Sequence, residues 1–114
     1  MARAPPVEPT ARKAKNYRDA AGKSSFREWI GRKFDGGARG RITTRIRRIE
    51  EFGNYGDCEP VGNGVYELRF DVGPGYRVYF GIDGDEMIRL GGGDKSTQGP
   101  DIRKARKCWE DYNA

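Results

Sequence analysis

Residues 65–82, VYELRFDVGPGYRVYFGI, decide the fold of this 114-residue chain. Apolar side chains occupy every second position on both sides of a Gly-Pro-Gly turn, a pattern typical of two antiparallel strands. Both apolar faces reach one core only if the connecting loop has an odd number of residues, most simply three. Either candidate register brings Arg69, Arg77 and Tyr79 together on the opposite, polar face. The predicted apolar face carries Tyr66, Leu68, Phe70, Val72, Tyr76, Val78, Phe80 and Ile82.

Two amphipathic helices are predicted upstream of this pair of strands. The first begins at Ser24 or Ser25, with Glu28 completing a capping box on Ser25, and it ends at Gly36-Gly37. The second ends at Gly53. A glycine turn joins the two into a helical hairpin. The apolar stripes are Phe26, Trp29, Ile30 and Phe34 in the first helix and Ile42, Ile46, Ile49 and Phe52 in the second.

Further elements are predicted at both ends of the chain. A weak alternation over residues 12–18 suggests a first strand, and Met87–Leu90 form a third strand after the pair. Pro100 and Asp101 begin a C-terminal helix. Its inward side chains are Ile102, Ala105, Trp109 and Tyr112. The length predicts one domain over residues 12–114, preceded by a flexible, proline-rich tail over residues 1–11.

The composition excludes several classes of protein. The chain has no histidine, which excludes Ser-His-Asp triads, Cys-His proteases and histidine-based zinc sites. Cys58 and Cys108 are far apart, without a CxxC motif, and we expect two reduced thiols in a cytoplasmic protein. No stretch approaches the roughly 20 apolar residues of a membrane span, and the first residues lack an apolar signal core. No motif calls for a metal or another cofactor.

Positive charge is concentrated in the first half of the chain. Residues 10–50 hold 13 Lys or Arg and 4 acids, a net charge of +9, whereas the whole chain carries +5. A basic segment of this kind indicates a polyanionic partner, nucleic acid above all. The alternative is an ordinary solvated helix face, which is what most charge runs are.

Residues 91–97, GGGDKST, resemble a phosphate-binding loop only superficially. The Walker pattern requires glycine at the positions held here by Arg89 and Asp94, so the match fails. Three glycines at a strand end can still direct backbone N–H groups at an anion, with Lys95 beside them. The alternative is a flexible loop with a solvated lysine.

Two arginines on one face of the predicted sheet form a more specific candidate site. Arg69 and Arg77 suit a phosphate, and the ring of Tyr79 suits a base beside it. The alternative is cross-strand pairing of both arginines with Glu67 and Asp71, which have the right spacing.

Several motifs in order resemble the RelE/ParE superfamily of toxins from bacterial type II toxin–antitoxin pairs, more narrowly the branch called addiction module killer proteins. They are GVYELRFDVGPGYRVYF, then GGGDKSTQ and DIRKA, with YRDAAGKSSFREWI, an arginine-rich helix and YGDCEPVGNGV upstream. The resemblance runs from about Tyr17 to about Trp109. It implies an α+β, RelE-like fold, in which a helical hairpin and a C-terminal helix pack on a small, mainly antiparallel four-stranded sheet.

The resemblance also implies an activity and partners. Toxins of the RelE type cut mRNA in the ribosomal A site, and those of the ParE type poison DNA gyrase without being nucleases. Both types are silenced by a cognate antitoxin, which we expect to be a helix-turn-helix protein encoded by the adjacent gene. We therefore expect a cytoplasmic, ribosome-associated endoribonuclease that acts on mRNA. The alternatives are a gyrase poison and an inactive protein that only binds its antitoxin.

Cleavage by a ribose 2′-hydroxyl needs a proton acceptor, cations for the phosphorane and a proton for the leaving oxygen. The expected catalytic residues are Arg69, Arg77, Lys95, Tyr79 and Asp94, with Asp94 as base or as the residue that orients Lys95. The expected RNA-binding residues are Arg41, Arg45, Arg47, Arg48 and Tyr76. Tyr76 or Tyr79 would stack on the base or donate a proton. One departure from the resemblance is Arg89, which stands in a last strand that is usually more apolar and predicts a more exposed sheet face or a weaker toxin.

Overall fold

The structure, a computed structural model, describes residues 11–32, Phe34 and residues 37–114. The predicted tail, apart from Ala11, and the predicted helix end at Gly36 lie outside this described part. The elements in chain order are β1 (Lys13–Asn16), α1 (Ser25–Ile30), α2 (Ala38–Phe52), β2 (Cys58–Gly62), β3 (Val65–Arg69), β4 (Tyr76–Asp83), β5 (Glu86–Asp94) and α3 (Gln98–Tyr112). A short 3-10 turn, Lys95–Thr97, joins β5 to α3.

The fold is α+β, but the predicted four-stranded sheet is wrong. The sheet has five strands in the order β1-β5-β4-β3-β2, with β1 parallel to β5 and every other pair antiparallel. The strand that the sequence did not indicate is β2, whose residues CEPVG contain proline and glycine and show no alternation. Because Pro60 cannot donate a backbone hydrogen bond, such a segment can pair only at an edge, where β2 lies with a register shift between Pro60 and Gly62.

Helices cover both faces of the sheet. On one face, α1 and α2 bury a core that contains the predicted set Trp29, Ile42, Ile46, Ile49, Leu68, Phe70, Val78 and Phe80. On the other face, α3 packs over a second cluster built around Val65, Tyr79, Ile88, Leu90 and Ala105. The predicted inward side of α3 is confirmed, since Ile102, Trp109 and Tyr112 pack against this cluster. The face expected to be polar is therefore partly a second core.

The β3–β4 connection confirms the parity argument and corrects the loop length. Arg69 lies opposite Arg77, and the Phe70 N–H donates to the Tyr76 carbonyl at 3.0 Å. The loop thus runs from Asp71 to Gly75, five residues rather than three. An odd loop of either length keeps both apolar faces on one core, so the faces are as predicted.

The helix ends differ in part from the prediction. Ser24 is the N-cap of α1, and its hydroxyl accepts from the Arg27 N–H at 3.1 Å, so the capping box on Ser25 and Glu28 is wrong. The helix ends at Ile30 with Gly31 as C-cap, before the predicted glycine pair. Gly53 ends α2 in the left-handed conformation, as predicted.

Two side chains near the first core also correct the prediction. Phe52, the last residue of α2, is 70% exposed, so the buried part of the predicted stripe ends at Ile49. Arg89 is half-buried in β5, with its guanidinium 4.8 Å from the ring centre of Phe26 in α1. The sheet face at Arg89 is thus covered by α1 rather than more exposed, and burial lowers the pKa of Arg89.

Candidate anion-binding site at the end of the sheet

Three cationic side chains from separate parts of the chain line one open depression at the end of the sheet. Arg69 ends β3, Arg77 lies opposite it in β4, and Lys95 begins the 3-10 turn after β5. The depression has a volume of about 580 Å³, and we call it the sheet-end groove. Its lining residues are Asp57, Arg69, Phe70, Asp71, Gly73, Pro74, Gly75, Arg77 and Lys95.

The Gly-Pro-Gly turn brings the loop close to two of these cations. Gly75 has φ +79°, and a Cβ added there would lie 3.4 Å from Nη1 of Arg77 and 3.4 Å from Cβ of Lys95. A left-handed glycine can therefore pass between the two side chains where other residues would be strained. The turn predicted from residues 73–75 thus forms one wall of the groove.

A buried carboxylate lies behind the arginines. Glu67, in β3, has no exposed surface, and its Oε1 accepts from Nε of Arg69 at 2.9 Å. The same oxygen lies 3.7 Å from Nε of Arg77, and Oε2 accepts from Nε2 of Gln98 at 2.8 Å. The alternative weighed from the sequence was pairing of both arginines with Glu67 and Asp71. The ion pairs with Glu67 are present alongside the position of the arginines in the groove, and Asp71 lines the groove.

The two arginines differ in exposure. The side chain of Arg69 is 38% exposed, whereas that of Arg77 is 12% exposed. Nη1 of Arg77 donates to the carbonyls of Gly75 and Tyr76 at 3.0 and 3.1 Å. The guanidinium of Arg77 is therefore held in one orientation at the bottom of the groove, whereas Arg69 is more exposed to solvent. The ion pair with Glu67 raises the pKa of Arg69, so this guanidinium stays charged.

Tyr79 does not reach the groove. It is fully buried in the second core, opposite Glu67 in the β3–β4 register. Burial, with the adjacent charge of Glu67, raises the pKa of its phenol well above the ordinary value. A side chain in this position cannot stack on an exposed base, so the structure leaves Tyr79 a packing role rather than the predicted catalytic one.

Asp94 organises the turn that carries Lys95. Its Oδ1 accepts from the Ser96 N–H at 2.8 Å and from the Ser96 hydroxyl at 2.5 Å, and Thr97 completes a capping box. The hydrogen bond from the Ser96 side chain lowers the pKa of Asp94. Of the two predicted roles, the geometry favours orientation of Lys95 over proton abstraction, since a weakly basic, engaged carboxylate is a poor base.

The glycines before this turn do not form an anion-binding loop. Gly91, Gly92 and Gly93 are strand residues of β5, paired with Tyr79, Val78 and Arg77. A Cβ at Gly92 would lie 2.2 Å from the ring of Trp29, and one at Gly93 would lie 1.8 Å from Oδ2 of Asp101. The glycine run therefore makes room for side chains from α1 and α3.

The four α2 arginines predicted to bind RNA line two separate depressions. Arg41, Arg45 and Arg48 line a depression of about 480 Å³, here called the helix groove, which shares Phe70 and Asp71 with the sheet-end groove. Arg47 lines a different depression, of about 380 Å³, toward α1 and β1. The two edges follow from helical geometry, because consecutive residues such as Arg47 and Arg48 point about 100° apart around the helix axis.

Arg45 is a structural residue within the domain. Its guanidinium donates to the carbonyls of Tyr55, Asp57 and Arg69 and lies 4.6 Å from the ring centre of Phe70. Burial lowers the pKa of Arg45. These contacts connect α2 to the segment before β2 and to the end of β3. Its predicted role in RNA binding thus competes with four hydrogen bonds inside the domain.

Tyr76 lies on the opposite sheet face from Arg77. Its ring packs edge-on against Phe34 and Trp29, with centroid distances of 5.0 and 6.2 Å. The tyrosine stays half-buried at the edge of the first core, beside Gly73 of the loop. Its predicted stacking role is therefore geometrically separate from the cation cluster.

The sequence indicates Glu67 and Asp71 only as partners that would neutralise the arginines, and it does not indicate Asp57. The burial of Glu67 depends on α3, which supplies Gln98. Asp57 lies before an edge strand that no pattern indicated, yet it lines the sheet-end groove with Asp71. Alternation alone could place Asp71 beside Arg69, but no local signal points to Asp57.

Two further properties concern the described residues alone. None of the helices in residues 11–32 and 37–114 combines the length and apolar character needed to cross a bilayer. The same part of the chain contains no group of three or more acidic or cysteine side chains arranged to hold a metal ion.

Comparison with known proteins shows a relative of the chain in Haemophilus influenzae. An uncharacterized protein of Haemophilus influenzae is 45% identical to the chain over 83 residues, which cover 72% of the chain and 83% of the relative. No family model matches the chain, and no solved structure matches it.

Proposed function

The chain belongs to the same protein family as this Haemophilus influenzae relative, and we propose that it is the toxin of a bacterial type II toxin–antitoxin module. The proposed activity is cleavage of mRNA on the ribosome, which inhibits translation. The motif order from Tyr17 to Trp109 supports the toxin proposal through its resemblance to addiction module killer proteins. The cations of the sheet-end groove support the nuclease activity.

The observation that carries the nuclease proposal is the convergence of Arg69, Arg77 and Lys95 on one open groove. In the proposed reaction the ribose 2′-oxygen attacks the adjacent phosphorus, and the bond from phosphorus to the 5′-oxygen breaks. The products are a 2′,3′-cyclic phosphate and a 5′-hydroxyl. Fixed cations stabilise the extra negative charge of the phosphorane more than that of the substrate, which is the condition for catalysis.

Proton transfer is assigned to groups that line the same groove. The 2′-hydroxyl must lose a proton, and the carboxylates of Asp57 and Asp71 are the acids at the groove. Lys95, exposed at the start of its turn, is the cation available to donate to the leaving oxygen. The proposal gives no proton-transfer role to Asp94, whose carboxylate accepts from Ser96, or to Tyr79, which is buried.

The helix groove extends the basic surface beyond the reacting phosphate. Arg41 and Arg48 line it, and Phe70 and Asp71 connect it to the sheet-end groove. A strand of RNA following both grooves would place neighbouring phosphates near these arginines. We propose that the cognate antitoxin silences the toxin by laying an acidic segment over the same surface.

The experiment compares variants of the groove with a variant outside it. Lys95→Ala removes an exposed side chain and should lower the rate of cleavage of a short RNA by about a hundredfold without unfolding the domain. Arg77→Ala should be at least as severe. Arg47→Ala is the matched control, because it removes one positive charge from the opposite edge of α2 and should change cleavage by less than about threefold.

Two readouts decide between the candidate functions. Induction in cells with mapping of mRNA 5′ ends should show new cleavage sites for the unmutated chain and for Arg47→Ala but not for Lys95→Ala. An RNA with a single 2′-deoxy residue at the cleavage site should resist cleavage. Intact mRNA together with inhibited DNA supercoiling would replace the nuclease proposal with a gyrase poison. Unimpaired growth and no binding to the product of an adjacent gene would refute the toxin proposal itself.

A further inference from the structure

We propose that Glu67 is the positioning residue of the sheet-end groove. It holds the guanidinium of Arg69 through Nε, which leaves the terminal nitrogens of Arg69 for a bound phosphate, and its ion pair keeps the charge of Arg77 beside them. The inference rests on the proposed function, since it concerns how that site handles a phosphate group. The side chain of Glu67 is fully buried, yet it lies between two charged side chains that line an open groove.

The contacts of Glu67 occupy the inner edge of the guanidinium groups. Oε1 accepts from Nε of Arg69 at 2.9 Å and lies 3.7 Å from Nε of Arg77. Because Arg69 is held through Nε, its two terminal nitrogens stay available, and such a pair matches two phosphate oxygens. Arg77 is oriented by the carbonyls of Gly75 and Tyr76, which accept from its Nη1. One carboxylate oxygen thereby orients Arg69 directly and pairs with the charge of Arg77.

The second carboxylate oxygen fixes Glu67 itself. Oε2 accepts from Nε2 of Gln98, the first residue of α3. The strand partner of Glu67 in β4 is the buried Tyr79, so the carboxylate cannot swing away into solvent. The orientation of Arg69 therefore depends on the packing of α3 on the sheet.

Stability alone is a weak explanation for this arrangement. A buried ion pair recovers the cost of desolvation only with good geometry, and well-packed neutral residues are often as stable. Glu67 also reduces the positive charge of a site that would otherwise attract any phosphate more strongly. A site that only had to bind phosphate tightly would gain from losing this negative charge. A catalytic site gains from cations held in fixed positions, because they then form their best contacts with the transition state.

Two variants separate the charge of Glu67 from its geometry. Glu67→Gln keeps the shape and removes the charge, and the amide of Gln98 can rotate to present its oxygen to the new side chain. Glu67→Asp keeps the charge but withdraws the carboxylate by one methylene from Nε of Arg69. Glu59→Gln is the matched control, since Glu59 pairs with Glu67 across β2 and β3 and its loss removes the same charge one strand away.

The kinetic test is a split between kcat and KM for cleavage of a short RNA. We expect Glu67→Gln to lower kcat at least tenfold while KM stays the same or falls, because the site becomes more positive but less ordered. Glu67→Asp should lower kcat with KM unchanged, and Glu59→Gln should leave kcat within twofold of the unmutated protein. An unchanged kcat in both Glu67 variants, or a raised KM together with a lowered melting temperature, would overturn the proposal.

A second measurement does not depend on RNA cleavage. In NMR spectra of the full chain, the Arg69 Nε–H signal should exchange slowly with solvent and should shift on titration with inorganic phosphate. In Glu67→Gln its exchange should accelerate at least tenfold while phosphate still binds. Equal exchange rates in the two proteins would overturn the inference about Glu67. Absence of RNA cleavage by the unmutated protein, with these NMR results intact, would refute only the proposed nuclease function.

Discussion

The substitution Gly92→Ala tests why the chain carries three consecutive glycines at the end of β5. A Cβ at Gly92 would lie 2.2, 2.3 and 2.6 Å from three ring atoms of Trp29, where ordinary contact begins at 3.4 Å. Trp29 is only 6% exposed and packs against Phe26, Phe34 and Tyr76. The indole would have to move by about 1 Å to relieve the overlap.

The expected cost follows from this crowding. Inserting a methyl group into a packed core costs typically about 1–3 kcal/mol, because neighbours must leave their preferred positions. The matched control is Gly40→Ala in α2, where an added Cβ meets no atom within 4 Å and φ is not positive. The control should stabilise the domain by about 0.5–1 kcal/mol, since alanine favours a helix over glycine. The same chemical change thus has opposite signs at the two positions.

Urea denaturation at equilibrium measures both variants, with an unchanged m value as the sign that compactness is preserved. The one-dimensional NMR signal of the Trp29 indole should shift in Gly92→Ala and stay in place in Gly40→Ala. In a Trp29→Leu background the cost of Gly92→Ala should fall, because the side chain that collides with the methyl group is gone. If Gly92→Ala were as stable as Gly40→Ala, the packing of α1 against β5 described here would be wrong.

Two more predictions concern buried groups. Arg45→Ala should destabilise the domain by about 2–3 kcal/mol, because three carbonyls lose a charged donor, whereas Arg41→Ala should change stability by less than about 0.5 kcal/mol. Equal urea midpoints for the two variants would contradict the structural role of Arg45. Burial raises the pKa of Cys58 from 9.0 to about 12, so at pH 8 iodoacetamide should modify this thiol far more slowly in the folded chain than in urea. The Cys58 thiol has a higher pKa in the folded protein than in the unfolded chain, so its ionisation favours unfolding. The contribution of the neutral thiol to the free energy of unfolding is therefore fully present below pH 9 and is lost as the pH rises toward 12. A Cys58 modification rate equal in both states would show that the thiol is accessible.

The sequence alone was sufficient to predict the buried face of each helix or strand whose apolar residues form one regular stripe. The isoleucines of α2, the alternating apolar residues of β3 and β4 and the inward side of α3 all lie as predicted. Periodicities of 3.6 and 2 residues are local properties, and each records which side chains must leave water. For the same reason the odd loop placed Arg69 and Arg77 on one face. Lys95 was grouped with them only through the family resemblance.

Only the tertiary structure decided what covers each face and edge. The edge strand β2 depends on pairing with β3, a long-range interaction that leaves no period in CEPVG. The alternation in β3 and β4 predicted an exposed polar face on one side of the sheet. The packing of α3 instead buries Tyr79 and Glu67 there, so the face carries a second core with the sheet-end groove at its end. The glycines of β5 are explained only by Trp29 and Asp101, which approach from α1 and α3. A residue's own sequence neighbours specify its conformation and face, but its burial and its partners are set by segments that fold against it from elsewhere in the chain.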